Sequence, residues 1–94
     1  MNLDYSEYWF MIRTVRLVRD DSNETIPINH YFSLHHKQIS SYETCIIGES
    51  KYTLVRFDTE EEIIADRDVK RFKAEVLPRY NEVFSKYMND LSNI

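Results

Sequence analysis

Residues 9–19, WFMIRTVRLVR, decide the architecture of this chain. Aromatic and β-branched side chains crowd the run, and they fit a pleated, half-buried surface better than a helix. A rival reading makes residues 5–19 helical: Asp4 followed by Glu7 matches a capping box, and Tyr8, Met11, Ile12 and Val15 recur near helical spacing. Such a helix leaves Phe10 and Leu17 on its wet side, so the run is read as a strand. The polar cluster Asp20-Asp21-Ser22-Asn23-Glu24 then predicts a turn, because short Asx and Ser side chains bond their own backbone.

Downstream, Thr25 to Leu34 alternates cleanly. Ile26, Ile28, His30, Phe32 and Leu34 share one face, and Pro27, Asn29, Tyr31 and Ser33 share the other. Pro27 cannot donate to a ladder, which predicts a sheet edge or a position near the strand's beginning. Two further β-rich runs, Tyr42 to Ile47 and Lys51 to Phe57, flank Gly48-Glu49-Ser50, a spacing suited to a hairpin loop in which glycine supplies positive φ.

Asp58-Thr59 ahead of Glu60-Glu61-Glu62 then predicts a helix start, since a capping oxygen and acidic first-turn residues complement the helix dipole. Val69, Phe72, Val76, Tyr80, Val83, Tyr87 and Leu91 follow in steps of three and four, one continuous apolar stripe that Leu77, Phe84 and Met88 widen. Pro78 lies inside that pattern and predicts a kink or break near Leu77. The expected fold is α+β: an antiparallel sheet of about four strands in two hairpins (residues 8–57), packed by one long C-terminal helix (residues 59–92).

Composition bounds the rest. A chain of 94 residues suffices for one domain with one core, and 43% hydrophobic with 30% charged residues argues for a folded chain rather than a disordered one. So short a chain often shares its core with a second copy or a partner, so association is expected. The formal net charge of -4 argues against a generic polyanion binder. One cysteine, Cys45, excludes an intramolecular disulfide scaffold. No apolar run nears the ~20 residues of a membrane span, and the first residues lack a basic segment leading into an apolar one. No membrane partner and a cytoplasmic location are therefore expected.

His30, His35, His36 and Cys45 are the transition-metal candidates by ligand type, but their spacing matches no metal motif and one strand cannot converge His30 and His35. A Cys45–His nucleophilic pair lacks a local orienting group. Asp58, Glu60, Glu61, Glu62, Asp66 and Asp68 cluster where a helix is predicted, which electrostatics alone explains. With one glycine the chain has no phosphate-cradling loop. No cofactor, metal or catalytic residue is assigned, and the chain is not read as an enzyme.

The expected function is a small non-catalytic protein-binding protein, an inhibitor or adaptor working through its surface and as a homodimer where the apolar arc is left uncovered. Tyr80, Phe84, Tyr87 and Met88 are its predicted partner or self-association surface. The alternative is a nucleic-acid-associated accessory protein using a basic patch of Arg13, Arg16 and Arg19, with Tyr8, Trp9 and Tyr31 as stacking surfaces. In an extended chain, however, Arg13 and Arg19 share a face that Arg16 does not. A small metal-dependent hydrolase built on the histidines and the acids ranks below both.

Overall fold

The computed structural model describes residues 7–19, 21 and 23–93 of the chain. Five strands and two helices follow one another: β1 (Trp9–Leu17), β2 (Thr25–Ser33), β3 (Ile39–Ile47), β4 (Ser50–Phe57), β5 (Glu62–Ala65), α1 (Val69–Glu75) and α2 (Leu77–Ser92). All the strand pairs are antiparallel, in the order β2-β1-β5-β4-β3. The architecture is thus α+β, with five strands where about four were expected and a β4–β5 connection beyond the two predicted hairpins. No helix among the described residues is long and apolar enough to cross a membrane.

The decisive run is a strand: Phe10 and Ile12 point into the core while Trp9 and Met11 alternate outward. Asp4, in the rival capping box, lies outside the described residues, as do Asp20 and Ser22 of the predicted turn. β2 is an edge strand, as Pro27 requires. β3 and β4 pair around Gly48, whose φ of 61° is the positive value glycine takes without a Cβ penalty.

Two expectations need correcting. The acidic stretch does not begin a helix. Phe57 N–H donates to the Glu61 carbonyl and Glu60 N–H to the Phe57 carbonyl, closing a tight turn in which Glu60 has φ 71°, and Glu62–Ala65 returns as β5. The helix begins ten residues later, where the Asp68 carboxylate accepts the Arg71 N–H at 2.9 Å. The C-terminal region is not one long helix either: of the kink or break expected near Leu77, it is a break that occurs. α1 ends at Glu75, Val76 intervenes, and Pro78 lies in the first turn of α2, where its missing N–H would have had no intrahelical partner.

β1 meets β5 at a single ladder pair, Thr14 opposite Ala65. In a flat sheet β2 and β4 would stand roughly 14 Å apart, three strand spacings. Phe32 of β2 nevertheless lies 5.0 Å from Phe57 of β4, ring to ring, so the sheet folds over at this seam. The helices close the fold at the same end: Tyr8 meets Tyr87 at 5.2 Å, Phe10 meets Tyr80 at 4.9 Å and Tyr42 meets Phe72 at 5.3 Å. A continuous core results, running from Tyr8, Phe10 and Ile12 through Val55 and Phe57 to Phe72, Val76 and Val83.

Candidate functional site

β5 pairs with β1 only at Thr14, so no described strand flanks residues 9–12 on that side. The α1–α2 junction lies there instead, leaving a groove of about 430 Å³ walled by Trp9, Met11 and Tyr31 on the hairpin and by Arg67 just ahead of α1, Glu75 at its end and Arg79 on α2. Met11 stands directly opposite Tyr31 in the β1–β2 register, and Trp9 is one step along on the same face. These three form a contiguous apolar ridge, exposed by 45% at Trp9, 42% at Met11 and 65% at Tyr31. Trp9 and Tyr31 also border a second groove of about 530 Å³ on the open edge of β2, together with His30, His36, Lys37 and Glu61.

The wall facing the ridge carries Arg67 and Arg79 against Glu75, and the stretch it belongs to is rich in cations. Residues 67–86 carry Arg67, Lys70, Arg71, Lys73, Arg79 and Lys86, six of the chain's 12 Lys and Arg, but only Asp68, Glu75 and Glu82 of its 16 acids. This stretch is positive within a chain of net charge -4. Glu75 accepts from Arg67 Nη1 at 2.8 Å and from Arg71 Nε at 3.3 Å, so one carboxylate serves two guanidinium groups. Arg79 touches Glu82 one turn on at 3.3 Å, an exposed pair of small worth. Arg67 Nε is buried without a hydrogen-bond partner among the described residues.

The residues singled out from sequence are distributed differently. Tyr80 and Tyr87 are buried in the chain's own core and Phe84 packs against it, leaving Met88 as the exposed member of that set. Arg13 pairs with Asp66 at 3.0 Å. Arg16 lies opposite Ile26 and Arg13 opposite Asn29, alternate faces of the hairpin, and Arg19 follows the end of β1, so the three make no single patch. Tyr8, named with Trp9 and Tyr31 as a stacking surface, is buried, and its hydroxyl donates to Asp90 Oδ2.

Among the described residues no group of three or more His, Cys, Asp and Glu gathers to hold a metal ion. The His30 ring sits 3.2 Å from Thr14 Oγ1, while His35 and His36 face each other at 4.8 Å. Cys45 lies half-buried on β3 opposite Tyr52. The acids are engaged separately: Asp58 accepts the Gln38 N–H, Glu61 pairs with Lys37, Glu62 with Arg56, Asp66 with Arg13, and Asp68 caps α1. Their clustering in sequence therefore does not become a constellation in space.

The ridge was readable in part. Placing Phe32 in the core puts Tyr31 outside, and placing Phe10 and Ile12 inside puts Trp9 and Met11 outside. The β1–β2 register that brings Met11 opposite Tyr31, and the helical junction alongside, carry no local sequence signal. No known protein family, curated protein or solved structure matches the chain.

Proposed function

We propose that this protein is a non-catalytic protein-binding module, an inhibitor or adaptor, that engages its partner through the outer face of the β1–β2 hairpin. The observation that carries this reading is the Trp9–Met11–Tyr31 ridge, exposed between two grooves. Tryptophan and tyrosine are the residue types that most often dominate interface energies, and methionine adapts to irregular surfaces.

The test is reconstitution. A partner identified by co-purification is prepared pure, and its affinity is measured for the wild-type chain and for Trp9→Ala and Tyr31→Ala. Each substitution should weaken binding about tenfold or more, with circular dichroism unchanged. Equal affinity for all three proteins would sink the reading. Self-association through Phe84 and the exposed Met88 is a second arm of the proposal, and sedimentation of Phe84→Glu plus Met88→Glu tests it: a wild-type chain of monomer mass removes it.

A further inference from the structure

We infer that the partner segment seated in the groove beside β1 is an acidic peptide carrying apolar side chains, its carboxylates on the guanidinium groups of the α1–α2 junction and its apolar groups on Trp9, Met11 and Tyr31. This inference rests on the protein-binding reading and adds the chemistry of the ligand. Charge complementarity argues it. The chain is acidic overall, yet the charged groups lining this groove are Arg67 and Arg79 against the single Glu75, and the aromatic ridge forms the opposite wall. Three guanidinium groups, Arg67, Arg71 and Arg79, share two carboxylates, Glu75 and Glu82, and those of Arg71 and Arg79 are exposed. A carboxylate brought in by a ligand supplies acceptors that this wall lacks, in the fork geometry guanidinium favours.

Single-stranded nucleic acid is the competing occupant, because arginines beside aromatic rings also suit stacked bases. One feature favours the peptide: Glu75 stands in the groove wall itself, where it opposes a continuous phosphate backbone but can sit between the spaced carboxylates of a peptide.

The experiment pans a random dodecapeptide library on the purified full chain, then measures synthetic copies of the selected peptides by fluorescence anisotropy, with oligothymidine as a parallel probe. The selected peptides should combine Asp or Glu with Phe, Leu or Trp. Their affinity should fall about tenfold with Arg79→Glu or Arg71→Glu and with Tyr31→Ala, fall further as salt is raised, and be unchanged by the remote Arg16→Glu. Circular dichroism confirms that each variant is folded. Peptides that need Tyr31 but carry no acid excess and ignore both arginine reversals overturn the acidic assignment while leaving the protein-binding reading intact. Tighter binding of oligothymidine than of any peptide, with the same dependence on Trp9 and Arg79, overturns it in favour of nucleic acid. If no peptide is selected, or none depends on Trp9 or Tyr31, the acidic-peptide assignment falls, and the protein-binding reading stands or falls by reconstitution with its own partner.

Discussion

Tyr80 joins three parts of the molecule through one side chain. Its ring meets Phe10 edge-on at 4.9 Å and stacks near Phe84 at 5.8 Å, while its hydroxyl accepts the Ile39 N–H at 3.0 Å. Burial pushes the phenol above its ordinary value of 10.0; the Ile39 hydrogen bond works against that rise and the charge of Asp58 adds to it. The folded chain therefore holds this proton more tightly than the unfolded chain does. Stability from Tyr80 is complete below about pH 10 and is lost as pH climbs through the raised folded value. Melting temperature should accordingly be insensitive to this group at neutral pH and fall above about pH 10, and Tyr80→Phe should flatten that alkaline fall. The same variant should cost about 1 kcal/mol at neutral pH, because the Ile39 N–H loses its acceptor. An alkaline slope identical in both proteins would remove Tyr80 as its source. Phe72 sets a larger scale: fully buried and 5.3 Å from Tyr42, it should cost about 3–5 kcal/mol as Phe72→Ala in denaturant unfolding.

β5 shows how one run of residues can satisfy two local patterns at once. Asp58-Thr59-Glu60-Glu61-Glu62 has the composition of a helix N-terminus, but Ile63, Ile64 and Ala65 follow it, and the pairing of Leu54 with Ile64 and Val55 with Ile63 places them in the middle of the sheet. Tertiary pairing decides against local propensity here, and residues 58–61 become a hairpin turn instead. Glu60 carries the conformational cost, with φ at 71° where a side chain is disfavoured. Glu60→Gly should stabilise the protein by up to about 1 kcal/mol, and Glu60→Val should destabilise it by about as much or more. Chemical denaturation of the pair checks this, and a destabilised glycine variant would refute the strain at this turn. The other elements were more legible because their patterns had no rival: the alternation of Thr25 to Leu34, the glycine between two β-rich runs, and the apolar stripe from Val69 to Leu91. Even there, Pro78 misled on cost. In the first turn of α2 it forfeits no backbone hydrogen bond, so Pro78→Ala should change stability by less than about 1 kcal/mol rather than relieve the ~3 kcal/mol of an interior proline.

At the scale of the whole molecule, the fold depends on packing across a seam that hydrogen bonding barely closes. The β1–β2 hairpin meets the β3–β4–β5 sheet at one ladder pair, Thr14–Ala65, beside which the Asp66 N–H donates to the Arg13 carbonyl at 2.8 Å, and the molecule extends over 50 × 23 × 20 Å with a radius of gyration of 14.8 Å. A typical chain of this length reaches about 12 Å, so the molecule is elongated, with the hairpin and the remainder as two lobes built on one shared core. Sequence periodicity identifies faces but not which faces meet, and for that reason the candidate groove, which needs both lobes, was not legible beforehand although Trp9 and Tyr31 were. What couples the lobes is aromatic. Phe32 touches Phe10 at 5.5 Å within its own hairpin and Phe57 at 5.0 Å across the seam, and Lys37, which follows β2, lies over both Phe32 and Phe57. If this contact carries the coupling, the wild-type chain should unfold in one transition, with Trp9 fluorescence reporting the hairpin and far-ultraviolet circular dichroism reporting the helices at coincident midpoints. Phe32→Ala should then cost about 3–5 kcal/mol, a large share of the roughly 5–15 kcal/mol that holds a small domain together. It should also separate the two midpoints, because the hairpin retains its own ladder while losing its grip on the other lobe. Coincident midpoints in the variant would mean that the helices, through Tyr8–Tyr87 and Phe10–Tyr80, suffice to bind the lobes without the Phe32–Phe57 contact.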